Sequence, residues 1–176
     1  GRTFEEVIQK GLRMIGQGMH GFTGNRDLGF EDIERELAEP TDMRIFSIAE
    51  ALEIGMSVER IHELTKIDKW FLYKLKNIIS IKDELCEYQT LESIPVELLA
   101  HSKINGFSDF QIARHVLKSE PSNINDDLMK VRSYRKSLGI VPYIKQIDTL
   151  AAEYPAITTY MYLTSSGPAN DRICEK

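Results

Sequence analysis

The stretch Gly106-Phe107-Ser108-Asp109-Phe110-Gln111-Ile112-Ala113 decides the fold class, because its residues match the requirements of a helix-to-helix corner one by one. Glycine takes the left-handed backbone conformation that stops a helix. Ser108 is suited to cap the next helix by accepting a backbone N–H. Gln111, three residues on, completes a capping box, and Phe107 and Ile112 have the spacing of a hydrophobic staple. The pattern occurs once more as Gly55-Met56-Ser57 with Ile61. Two tight helix–turn–helix corners are therefore expected, in copies too short to define a repeat array.

Helical periodicity extends outward from both corners. Upstream of the first, Ile45, Ile48, Ala49 and Leu52 form an apolar stripe; between the corners, Asp68 is placed to cap a longer helix carrying Trp70, Phe71, Leu72, Leu75, Ile78 and Ile79. Pro95 suits the first turn of a helix with Leu98 and Leu99. Residues 31–38 form a short acidic helix, and Leu128, Val131, Tyr134 and Leu138 mark the last clear one, closed by Gly139. At the start, Thr3 and Glu6 have capping-box spacing ahead of Phe4, Val7, Ile8, Leu12 and Ile15, the predicted apolar side of the first helix. After Gly139 the character changes: residues 157–163 mix Thr, Tyr and Ile and read as extended, and Ser165-Ser166-Gly167-Pro168 reads as a linker. The fold class expected is all-α, an irregular domain of about seven to nine helices with a short strand segment near the C-terminus.

The 176 residues suit one domain, and 42% hydrophobic with 28% charged content suits a real core under a polar surface. Net charge is −5, from 22 Lys+Arg against 27 Asp+Glu. That balance disfavours nucleic-acid binding, whose affinity comes largely from neutralising phosphates. Cys86 and Cys174 lie far apart in polar surroundings, so a reducing compartment fits better than a disulfide scaffold. No apolar run approaches the ~20 residues that span a bilayer.

Candidate chemistry is sparse. Gly16-Gln17-Gly18-Met19-His20-Gly21 matches the dinucleotide-binding glycine pattern by letter, but that motif needs a strand before it and a helix after it. Here a helix leads in and a polar loop follows. His20, His62, His101 and His115 show no pairing at metal-ligand spacing, and no nucleophile elbow is present. No catalytic, cofactor-binding or metal-binding residue is therefore assigned. Residues 108–115 also resemble the opening of a DNA-recognition helix, with Gln111 able to read adenine. A capping role for Gln111 is favoured over this alternative, and an ordinary exposed stripe over a basic face of Arg132, Arg135 and Lys136. The densest apolar patch surrounds Ile67, Asp68, Trp70, Phe71 and Leu72. With Phe107, these residues are the candidate core or interface anchors, since aromatic side chains concentrate in both settings.

Three blocks resemble the central helical region of carbamoyl phosphate synthetase large chains. The first is Gly1-Arg2-Thr3-Phe4-Glu5-Glu6 with Gln9-Lys10, Leu12-Arg13 and Gly21-Phe22. The second is Arg44-Ile45-Phe46 through Ser57-Val58-Glu59 to Leu64-Thr65-Lys66-Ile67-Asp68-Lys69-Trp70-Phe71-Leu72. The third joins the 106–113 corner to Gly139-Ile140-Val141-Pro142-Tyr143-Ile144-Lys145-Gln146-Ile147-Asp148-Thr149-Leu150-Ala151-Ala152-Glu153-Tyr154, and the wording is closer to eukaryotic members. The resemblance implies a non-catalytic oligomerisation domain linking two homologous ATP-grasp halves, with ATP and Mg used in those halves and no cofactor in this segment. It implies an exit helix from the preceding half over residues 1–20, the helical domain over 21–154, and an extended segment and linker over 155–176. The implied partners are the flanking halves and a second copy of the chain, with no nucleic acid and no membrane. The implied location is cytoplasmic, or mitochondrial for a urea-cycle parent. After Thr164 the chain departs from the family's usual aromatic and acidic residues.

Overall fold

The Gly106 corner forms as its residues require. Gly106 has φ +87°, and the Phe107 and Gly106 N–H groups donate back to the carbonyls of Ser102 and Lys103, both at 3.1 Å. This is the paired arrangement of a Schellman stop. Ser108 Oγ accepts from Gln111 N at 3.1 Å, while Gln111 Oε1 accepts from Ser108 N at 2.9 Å, completing the capping box. Gly55 and Gly139 end their helices with the same bond pattern. Ser57 caps the helix after Gly55 by accepting from Arg60 N at 3.1 Å.

In a computed structural model describing residues 1–15, 18–25, 29–150, 153–154 and 160–171, these corners link eight α-helices among the described residues. In chain order they are α1 (Phe4–Met14), α2 (Ile33–Ala38), α3 (Arg44–Glu53), α4 (Val58–Thr65), α5 (Lys69–Cys86), α6 (Val96–Ile104), α7 (Asp109–Val116) and α8 (Ile124–Ser137). The all-α expectation of seven to nine helices holds. The central helix is α5, which packs against α1, α3, α4, α6 and α7. It buries Leu72, Leu75, Ile78, Ile79, Ile81 and Leu85, a stripe at helical spacing. The core continues through Ile48, Ile61, Leu99, Phe107, Ile112, Val116 and Val131.

A two-stranded antiparallel hairpin closes the chain, β1 (Tyr143–Gln146) with β2 (Met161–Thr164), in the register Ile144↔Leu163 and Lys145↔Tyr162. The strand expected near the C-terminus is β2; residues 157–159 of that expectation lie outside the described residues. Its partner β1 was not anticipated, because the usual inside-outside alternation is inverted. The inward face carries the buried polar residues Lys145 and Thr164, while the outward face carries Ile144, Met161 and Leu163.

The supposed linker at 165–168 is corrected through residue 171. Ser166 N donates to Thr164 Oγ1 at 3.1 Å, and the chain then runs back beside β1. There Asn170 Oδ1 accepts from Ile144 N at 2.8 Å, and Asp171 pairs with Lys145 at 2.7 Å.

The first helix is also rotated from expectation. Val7 and Ile15 are exposed, and α1 buries Glu5, Glu6, Gln9 and Leu12 instead. The Gly106 corner explains this inversion, since it approaches α1 so closely that a Cβ on Gly106 would lie 2.9 Å from Glu6 Cα and 3.0 Å from Gln9 Cβ. Gly106→Ala therefore combines a left-handed backbone penalty with overpacking and is expected to cost about 2–4 kcal/mol. Gly139→Ala, whose new Cβ would meet nothing within 4 Å, is expected to cost only about 1–2 kcal/mol. Urea denaturation of the two variants side by side checks the difference, and equal losses would refute the close-approach account.

Candidate functional site

At the start of α5, Asp68 Oδ1 accepts from Trp70 N at 2.8 Å, which fixes the first turn and with it the direction of two aromatic side chains. Trp70 and Phe71 remain 54% and 43% exposed. Phe4 of α1 completes a cluster, its ring centroid 5.6 Å from Trp70 and 5.4 Å from Phe71, with Trp70 and Phe71 5.0 Å apart. Lys74 sits over the Trp70 ring at 5.6 Å. Rigid, half-exposed aromatic groups are the side chains that concentrate binding energy at protein interfaces. The six anchor candidates thus separate. Leu72 and Phe107 are core residues, Ile67 is half-buried against the core, Asp68 is a cap, and Trp70 and Phe71 face solvent rather than the interior.

Beneath this surface lies a buried polar hub that the apolar pattern did not reveal. Gln9 Oε1 accepts from Gln111 Nε2 and from Phe22 N, both at 2.9 Å. Gln111 Nε2 also donates to Thr23 O at 3.0 Å. Gly21 is required here, because a Cβ would fall 2.5 Å from Gln9 Oε1. The glycine pattern of residues 16–21 therefore serves a loop packed on two glutamines; α1 leads into it and the next helix begins only at Ile33, with Gly16 and Gln17 outside the described residues. Spacing alone could have suggested the hub, since Glu6 and Gln9 share a helix face with Leu12.

The hub overturns the nucleic-acid reading. Gln111 is fully buried with its side-chain donors and acceptor committed, so it cannot reach a base edge. Helix α7 also buries Ile112, Ala113, His115 and Val116, leaving it no free recognition face. The basic face on α8 is likewise reduced: Arg132 and Lys136 are exposed, but Arg135 turns inward to grip Asp109 through two bonds of 2.8 and 3.0 Å. Lys103 joins the same carboxylate at 2.7 Å. Burial pulls the Lys103 ammonium down to about 8 even against that attraction. Burial works to raise Asp109, but the bonds from Arg135 and Lys103 outweigh it and hold the carboxyl below its ordinary value. Among the described residues, no group of three His, Cys, Asp or Glu side chains could hold a metal ion, and no helix is long and apolar enough to cross a membrane. Cys86 is free; Cys174 lies outside the described residues.

Glu6 extends the hub to the other end of the chain. Its carboxylate accepts from Arg2 N at 2.7 Å, Lys10 Nζ at 2.5 Å and Thr164 Oγ1 at 3.0 Å. Thr3 does cap α1, accepting from Glu6 N at 3.2 Å, but the reciprocal half of the expected capping box is missing because Glu6 bonds Arg2 instead. Lys10 also donates to Leu163 O, and Arg2 reaches Ser166 O at 3.4 Å. Together these bonds clamp α1 to β2. Burial opposes the Glu6 charge, yet Lys10, Arg2 N–H and Thr164 together hold its pKa below the ordinary 4.5. A depressed carboxyl pKa contributes stability that is fully present above the unfolded-state value and is lost as pH falls through the folded-state value. The stability advantage of the parent chain over Glu6→Gln should therefore be constant above pH 4.5 and shrink below it, as read from urea midpoints across pH. A gap that widens with acid would refute the assignment.

Comparison with known proteins follows this geometry. The family model described as "Carbamoyl-phosphate synthetase large chain, oligomerisation domain" matches residues 1–139. The multifunctional protein pyr1-3 of Dictyostelium discoideum is 47% identical over 172 residues, covering 97% of this chain and 7% of that protein. The mitochondrial arginine-specific carbamoyl phosphate synthase large chain of Neurospora crassa is 46% identical, covering 97% of this chain and 14% of that protein. The mitochondrial ammonia-type carbamoyl-phosphate synthase of Aquarana catesbeiana is 43% identical, covering 97% and 11%. The chain thus spans between 7% and 14% of the length of these relatives. With its helical corners, its core and nearly its whole length matched, the chain belongs to the oligomerisation-domain family of carbamoyl-phosphate synthetase large chains.

Proposed function

We propose that this domain is a structural and self-association element linking two ATP-dependent halves of a carbamoyl phosphate synthetase. The parent would form carbamoyl phosphate from bicarbonate, ammonia or glutamine nitrogen, and two ATP, with ATP and Mg held in the flanking halves. The observation that carries the reading is the clamp of α1 on β2 through Glu6, Lys10 and Arg2. Segments attached at the two ends would leave from points held together by a buried, charge-assisted bond, so their relative placement would follow the domain rather than a loose linker. The Phe4–Trp70–Phe71 surface supplies the apolar anchors for pairing with a second copy. The parent would work in the cytoplasm, or in the mitochondrion if it is of the urea-cycle type.

Sedimentation tests the self-association. The chain should associate with rising concentration, and Trp70→Ala/Phe71→Ala should weaken that association by about tenfold or more, as losing two interface anchors commonly does. A monomer at all concentrations would refute it. Titration calorimetry of the domain with ATP should give no binding heat, and tight ATP binding would refute the non-catalytic assignment.

A further inference from the structure

A second surface lies where the hairpin meets the end of α1. Met161 and Leu163 are 52% and 55% exposed on the outward face of β2, with Ile144 opposite Leu163. Met14, 84% exposed, joins them around a groove of about 670 Å³ that Gly1, Lys10 and Arg13 also line. A strand normally turns its apolar side to its own core. Here the polar side is spent on the core and the apolar side is left outside.

Arg13 adds a charge to the groove. It is half-buried, and its Nη1 donates to Gly106 O at 2.9 Å and to Gln111 Oε1 at 3.2 Å, both neutral acceptors. Among the described residues no carboxylate forms an ion pair with it, and its Nε and Nη2 have no acceptor. Burial pulls the guanidinium below its ordinary value, and the Glu6 carboxylate that partly restores it is already committed to Lys10, Arg2 and Thr164. A desolvated cation facing only dipoles is worth much more to a fold once a carboxylate meets it.

We propose that this groove seats the domain preceding Gly1 in the longer polypeptide, through apolar side chains laid over Ile144, Met161 and Leu163 and one carboxylate on Arg13. The inference rests on the linking role above. Two observations select this occupant over a second copy. Relatives devote 86% or more of their length to sequence outside this segment, and Gly1 itself lines the groove. A tethered neighbour is present at millimolar effective concentration, well above that of a separate chain in dilute solution.

The test uses the full-length parent protein with Leu163→p-benzoylphenylalanine, mixed as equal parts of ordinary and ¹⁵N-labelled protein and irradiated. Cross-links should run to peptides of the domain before Gly1 and join only like-labelled peptides. Cross-links between differently labelled peptides, cross-links confined to the domain after residue 176, or none at all would overturn the proposal. In the same protein, Arg13→Glu should lower cross-link yield by about tenfold, while Arg13→Lys retains at least half. Equal yields would remove the carboxylate from the interface. A rise in melting midpoint with inorganic phosphate that Arg13→Glu abolishes would reassign Arg13 to a free anion and also overturn it. Absence of an ATP-dependent half before Gly1 would sink the linking role itself, whereas its presence without cross-links sinks only this inference.

Discussion

The close approach of the Gly106 corner to α1 is the constraint on which the rest of the domain depends. A side chain at residue 106 would collide with the backbone of Glu6. Without one, the corner brings the start of α7 close enough for Gln111 to bond Gln9. That contact turns the polar side of α1 inward. Burying such groups is costly unless every strong donor and acceptor is met. Phe22 N–H, the Thr23 carbonyl, Lys10 and Thr164 do most of the meeting, and each comes from a different part of the chain. A polar hub of this kind contributes less through net energy than through geometry, since an apolar face would accept several rotations of α1 and this one accepts far fewer.

Much of the helical frame was legible in the residues. Gly55, Gly106 and Gly139 mark helix ends because left-handed backbone is cheap for glycine, and Ser57, Ser108 and Asp68 mark helix starts because their side chains accept a free N–H. Both are local rules and need no tertiary information. The face of α1 was not legible, because Val7 and Ile15 obey the same periodicity as a buried stripe and only the 106 corner decides against them. The hairpin was half legible for a related reason. Tyr143–Gln146 is short, and its buried member is a lysine whose charge is answered by Asp171, 26 residues away. Arg135 shows the same limit, since an arginine on a helix surface and one gripping a buried Asp109 look identical in sequence.

The candidate surfaces follow from these inversions. Turning α1 so that Glu6 and Gln9 face inward leaves Val7 and Met14 outside, and turning Thr164 inward leaves Met161 and Leu163 outside. Apolar exposure on this domain is thus a by-product of satisfying its polar interior. It is concentrated at the start of α5 and beside the hairpin, where clustered apolar exposure marks contact with another protein surface.

The Glu6–Thr164 bond also sets a timetable. Its partners are 158 residues apart, and at ribosomal speeds of about 5–20 residues per second the hydroxyl arrives roughly 8–30 s after the carboxylate. During that interval the helical corners and α5 can already fold, since their contacts are more local. The first helix, however, must hold a charge whose partner from β2 does not yet exist. On the nascent chain its carboxylate stays hydrated, and the last step of maturation is the docking of the newest strand onto the oldest helix.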